Sequence, residues 1–125
     1  MDEFTEAYIT CALWATNDES DESGGVPLDD NYGFGDIHPD TLQEMVNDCE
    51  QFQRENADDI ATWESSQYTA AEMAGHDFWL TREGHGAGFW DGDWDDAVGK
   101  RLTIASERFG EFGLCVGDHG QIFSL

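Results

Sequence analysis

Among its 125 residues the chain has a single lysine, Lys100, and four arginines, Arg54, Arg82, Arg101 and Arg108. Proteins that bind nucleic acid directly use such cations to displace counterions from phosphates, so no direct nucleic-acid contact is expected. The same poverty argues against attachment to an anionic membrane surface. No run of about 18 apolar residues occurs, and no basic stretch leads into an apolar one near Met1, so neither a transmembrane helix nor a signal peptide is expected. A cytoplasmic chain follows. Cysteine is scarce too. Cys11, Cys49 and Cys115 are odd in number and widely spaced, which fits thiols of a reducing compartment and not a disulfide framework.

What is abundant is acid: 28 Asp and Glu give a formal charge of −23, with a mean hydropathy of −0.56. High charge with low hydropathy is the composition of disorder. Five Trp, eight Phe and three Tyr argue the other way, because each buried ring removes about 150–250 Å² from water. A single folded domain with an acidic exterior is expected over residues 1–125. The charge is uneven along it. Residues 1–64 hold 18 acids and one base, net −17, whereas residues 65–125 hold 10 acids and four bases, net −6. Self-repulsion on that scale opposes compaction and asks for a reason beyond solubility.

Phe4, Tyr8, Cys11, Ala12 and Ala15 fall at helical spacing and predict a first helix over 3–16. The acidic Ser/Gly stretch 17–25 has nothing to bury and reads as a mobile loop, followed by an irregular segment from Val26 to Pro39. A second, longer helix starts after Pro39, with Asp40 or Thr41 as cap and Glu44 as the matching acid for Thr41. Its apolar stripe runs through Leu42, Met45, Val46, Cys49, Phe52, Ile60 and Trp63, with a break near Asn56. Thr69–Gly75 reads as one or two helical turns ended by Gly75. Phe78–Arg82 and Ala87–Trp90, two aromatic runs around a Gly-rich turn, then predict a β-hairpin. Helical spacing returns from Trp94 to Phe109, and a second hairpin follows over Phe112–Phe123. The fold class is α+β: N-terminal helices and a small antiparallel sheet made of two hairpins with one helix between them.

The second helix carries Asp40, Glu44 and Asp48 at i, i+4 and i+8, with Glu55 and Asp59 close to the same face. A solvated face usually interleaves lysine with glutamate, since like charges at this spacing cost a helix about 0.2–0.5 kcal/mol per pair. A turn rises about 5.4 Å, so one such face is a sparse imitation of phosphates spaced about 3.4 Å along a DNA strand. Asp29, Asp30, Asp36 and Asp58, with Glu50 and the acids of the 18–22 loop, make a fuller one.

Other chemistries fit less well. Asp91, Asp93 and Asp95 match the first three ligands of an EF-hand loop, but Asp96 stands where glycine is needed and Leu102 where a bidentate glutamate is needed. Asp18-x-Ser20-x-Glu22 fails similarly. His38, His76, His85 and His119 lie too far apart for a paired zinc motif, and no Cys-x-x-Cys occurs, so no metal or cofactor is expected. Cys115 with His119, or His76 with Asp77, are the nominal catalytic pairs, yet nothing in their spacing demands catalysis. Gly84–Gly88 lacks the lysine of a phosphate loop. No enzyme is expected.

The block from Asp77 to Asp91 packs four aromatics and several small residues around a turn, either as core or as a docking patch, depending on whether Trp79 and Trp90 are exposed. The string Ala74-Gly-His-Asp-Phe-Trp-Leu-Thr-Arg-Glu-Gly-His-Gly-Ala-Gly-Phe-Trp-Asp91, with Arg101-Leu-Thr103 and Val116-Gly-Asp-His-Gly120, resembles a family of short bacteriophage and prophage proteins. The resemblance covers about residues 70–123 and departs in the acidic N-terminal half. The family supplies no activity to transfer; the resemblance implies a mobile-element origin and hence the cytoplasm of an infected host cell. An acidic small phage protein in turn resembles the class of DNA-mimic proteins that block restriction enzymes or CRISPR effectors.

The expected function is therefore inhibition of a host nucleic-acid-binding defence protein by occupation of its basic groove. The contacts would come from Asp29, Asp30, Asp36, Asp40, Glu44, Asp48, Glu55, Asp58 and Asp59. Two alternatives stay open. One is a phage accessory module that docks through its aromatic hairpin, with the charge as a solubilising coat. The other is adaptation to high salt, which needs salt to stay folded where a mimic does not.

Overall fold

The computed structural model describes residues 1–20 and 25–125; Asp21–Gly24, and with them part of the expected mobile loop, lie outside the described residues. Helix α1 spans Glu3–Ala15, and Asp2 caps it by accepting a hydrogen bond from the Thr5 N–H at 2.8 Å. The second Asp2 oxygen accepts from Gln53 at 3.1 Å, which ties this cap to the next helix. Burial works against the charge on Asp2, but the bonds from Thr5 and Gln53 outweigh it and hold the carboxyl below its ordinary 3.8. Asp2→Ala is expected to cost about 1 kcal/mol at pH 7. The ionic part of that contribution is full above pH 3.8 and is lost as pH falls through the lower folded value, so urea midpoints of the two proteins should converge as pH falls below 3.8.

After α1, strands β1 (Asn17–Asp18) and β2 (Val26–Pro27) pair antiparallel, so a short ladder joins the start of the expected loop to the start of the expected irregular segment. Two 3₁₀ turns, Leu28–Asp30 and Phe34–Asp36, fill the irregular segment before α2 (Pro39–Ile60). The cap of α2 differs from expectation. His38 is the N-cap, its Nδ1 accepting the Asp40 N–H at 3.1 Å, while Thr41 is buried and its hydroxyl accepts the Ser124 N–H at 3.2 Å. The break at Asn56 is present: φ −126° and ψ 20° leave the helical region, and the side-chain amide donates to the Phe52 carbonyl at 2.9 Å.

The largest correction concerns residues 75–90. Helix α3 spans Ala70–Arg82, running through Gly75 and through Phe78–Arg82, and the residues up to Asp95 form turns, so the first expected hairpin is absent. Helix α4 (Asp96–Glu107) is capped by Asp95, and the last expected hairpin forms from β3 (Leu114–Val116) and β4 (Ile122–Ser124), with Cys115 opposite Phe123. The class is α+β, with four helices and two separate two-stranded antiparallel sheets among the described residues. Ile37 bridges Ile122, and the His38 ring stacks on Phe123 at 4.9 Å, which docks the last sheet on the start of α2.

The core joins the acidic half to the aromatic half. Phe4, Tyr8 and Phe52 pack with Phe78, Trp79 and Phe89; the Phe52 and Phe78 rings stack 4.1 Å apart. Most buried polar groups are paired within it, the Trp79 indole N–H being without a partner among the described residues. Asp77, 2% exposed, accepts the Trp94 indole N–H at 2.8 Å, and Glu83 accepts the Phe112 and Gly113 N–H groups at 2.7 and 2.9 Å.

Candidate functional site

Whether α2 presents a continuous row of acids follows from helix geometry. Residues four apart are about 40° out of register at 3.6 residues per turn, so an i, i+4, i+8 series walks around the helix. Asp40 and Glu44 are exposed, and the third member, Asp48, lands beside the buried face made by Thr41, Met45, Cys49 and Phe52. There it meets Arg82 at 2.9 Å. Asp48 is thus the counter-ion of a buried cation.

The remaining expected contacts divide in the same way. Glu55 and Asp58 are exposed on α2, and Asp29 and Asp30 are exposed on the first 3₁₀ turn. Asp59 is half-buried and receives both Nε and a terminal nitrogen of Arg101, at 3.0 and 2.8 Å, a two-pronged pair that lowers its pKa. Asp36 is half-buried and accepts the Gly33 N–H at 2.8 Å. Of the nine acids, Asp29, Asp30, Asp40, Glu44, Glu55 and Asp58 face water, and Asp36, Asp48 and Asp59 hold the fold together.

Five bases can compensate at most five of 28 acids, and Arg82 and Arg101 are already committed to Asp48 and Asp59. Over α2 the exposed acids Asp40, Glu44, Glu50, Glu55 and Asp58 share the surface with one base, Arg54. From Asp40 to Asp58 the axis rises about 27 Å before correction for the bend at Asn56. Between α3 and α4 the exposed Asp91, Asp93 and Asp95, continued by Asp96 at the start of α4, add a second acidic stretch, where Asp91 pushes the Asp93 carboxyl upward. Among the described residues no three His, Cys, Asp or Glu side chains converge as metal ligands would.

The aromatic block splits. Trp79 is buried at 1% exposure, whereas Trp90 stands 55% exposed beside Ile104 at the edge of α4. His76 Nδ1 lies 3.5 Å from Asp77 Oδ1, and the other Asp77 oxygen accepts the Trp94 indole N–H. The Cys11 thiol, near His76, is pushed up to about 12 by burial and by Asp77, the opposite of an activated nucleophile. His119, the other nominated base, sits on the hairpin turn at φ 62°.

Sequence reasoning missed a groove of about 640 Å³ between α1 and α3, with Trp14, Tyr68, Met73 and His76 along it and Glu3, Glu6 and Glu72 at its rim. Trp14 is 57% and Tyr68 48% exposed. The available signal was the position of Trp14. It lies outside the stripe of Phe4, Tyr8, Cys11 and Ala15, where a tryptophan has no core to enter.

No helix among the described residues is long and apolar enough to cross a membrane. Comparison of the chain with protein-family models, with curated proteins and with solved structures yields no match.

Proposed function

We propose that this chain is a nucleic-acid mimic, of phage origin, that inhibits a host DNA- or RNA-binding defence protein by occupying its basic groove. The observation that supports this reading best is the uncompensated acid of α2: Asp40, Glu44, Glu55 and Asp58 exposed along one helix with Arg54 as the one base among them. Asp29 and Asp30 are exposed as well, on the 3₁₀ turn that precedes α2 in the chain. A surface that serves only solubility has no need to place like charges along one helix, where each adjacent pair costs stability. Resemblance of residues 74–91 to phage proteins supplies the biological setting. Capture would be electrostatic first, fast at low salt and weakened as salt screens exposed charges within about 8–10 Å.

The test is charge reversal at Glu44, Glu55 and Asp58 together, leaving Asp48 untouched because it anchors Arg82. Immobilised wild type should capture, from nuclease-treated bacterial lysate, nucleic-acid-binding proteins that elute with added duplex DNA or RNA. The triple lysine variant should capture them at least about tenfold less well. Equal capture by both proteins, or elution insensitive to nucleic acid, would sink the reading.

A further inference from the structure

We infer that the groove between α1 and α3 is a second binding surface, independent of the acidic face of α2, and that it takes an arginine-bearing amphipathic segment of a partner protein. The floor is apolar. Trp14 and Tyr68 leave about half of their surfaces in water, a cost for two large rings that core packing does not explain. The Trp14 ring lies 6.4 Å from the His76 ring at an interplanar angle of 31°, so it leans over the α3 side of the groove.

The rim determines which apolar partner fits. The Thr69 hydroxyl lies 2.6 Å from a Glu3 carboxylate oxygen and 3.3 Å from one of Glu72, so two carboxylates approach within about 6 Å. One hydroxyl proton satisfies one of them. Neither has an ion-pair partner among the described residues, and no Lys or Arg lines the groove. Glu6 adds a third carboxylate to the same rim. Like charges held this close are relieved by an incoming cation. A guanidinium does so while stacking on an indole face, and its three-carbon stem covers apolar floor.

The volume exceeds one side chain and lies within the range of sites that enclose a short ligand segment. A second copy of this chain is a poor occupant, since it brings a further −23 and has only five bases to offer. An uncharged apolar ligand would leave the carboxylates unpaired.

The probe is a fluorescein-labelled peptide with arginine and leucine repeated at helical spacing, titrated by anisotropy at physiological salt. A control peptide of equal charge carries glutamine in place of each leucine. Trp14→Ala and Glu6→Lys each change an exposed residue of the groove. Glu44→Lys, Glu55→Lys and Asp58→Lys together change the net charge three times as much as Glu6→Lys but lie on α2. Each groove variant should weaken the leucine peptide about tenfold, the α2 variant less than about twofold, and the control peptide should bind the wild type about tenfold less tightly. The inference is overturned if the groove variants bind as the wild type does. It is equally overturned if the α2 variant loses as much as Glu6→Lys, if the glutamine peptide binds as well, or if no binding is seen up to about 1 mM. Should Trp14→Ala lose its native far-ultraviolet spectrum, Glu6→Lys carries the test alone. Success here together with unchanged capture by the α2 variant would leave the groove standing and the mimicry reading refuted.

Discussion

Arg82→Met is expected to destabilise the fold by about 3–5 kcal/mol, read as a lower urea midpoint in tryptophan fluorescence. The guanidinium is buried and donates to four acceptors from three parts of the chain. These are the Tyr8 hydroxyl at 3.0 Å, Asp48 at 2.9 Å, and the carbonyls of Gly110 and Phe109 at 2.8 and 3.2 Å. It also lies 5.2–5.6 Å from the ring centres of Phe78, Phe109 and Phe112. Methionine fills the volume but donates nothing. The fully buried Tyr8 hydroxyl then has no partner among the described residues, and each such orphaned group costs about 1–3 kcal/mol. Burial alone would pull the Arg82 pKa down; Tyr8 and Asp48 more than offset it, so the cation is kept. Lysine should recover little, because one ammonium cannot reproduce a planar fork toward separated acceptors. Asp48→Asn should cost less, about 1–2 kcal/mol, as Asp48 keeps 28% of its side chain in water and the amide still accepts. A loss below about 1 kcal/mol for Arg82→Met would show that these four bonds are not what holds α3 to α1, α2 and the segment after α4.

The burial of that arginine also explains why the second half of α3, Phe78–Arg82, has the sequence pattern of a strand. The sequence Phe78-Trp-Leu-Thr-Arg82 is rich in β-favouring types, and a helix is recognised from sequence by an apolar stripe with a polar back. From Ala74 to Arg82 every residue except His76 is buried, so no polar back exists and the helical period is erased. Arg82 reads as surface in sequence and is core in the structure. Helices with one wet face, α1, α2 and α4, were legible from spacing alone, as were the bend at Asn56 and the last hairpin. The cap of α2 was not, since Thr41 finds its partner in Ser124, 83 residues away.

The acidic site was legible by composition and less so by position. Asp40 and Glu44 lie where their spacing puts them. Asp48 does not, because the same spacing carried one step further rotates it onto Arg82, and no local pattern announces a partner 34 residues downstream. Asp59 is taken by Arg101 for the same kind of reason, 42 residues away. A charge-reversal experiment designed from sequence would have included Asp48 and would have confused loss of binding with loss of the Arg82 network.

Gly75→Ala is expected to destabilise by about 1–2 kcal/mol, against the sign that helix propensity alone predicts. In an exposed helix interior, glycine to alanine gains about 1 kcal/mol. Here α3 crosses α1 with backbone against backbone. A Cβ on Gly75 would fall inside contact distance of the Phe4 carbonyl oxygen, 3.0 Å from the carbonyl carbon and 3.2 Å from the Ala7 Cβ. Carbonyl atoms of a helix cannot rotate away as a flexible side chain does, so the two helices must separate. That separation loosens the packing of Phe4 and Tyr8 against Phe78, whose centroids lie 6.0 and 5.2 Å from it, at the centre of the core. Overpacking of this kind costs about 1–3 kcal/mol, occasionally more, and the propensity gain offsets only part of it. Urea unfolding gives the sign directly. A more stable Gly75→Ala protein would mean that the residue read from sequence as a helix stop is merely tolerated inside α3, and that the close crossing of α1 and α3 does not hold in solution.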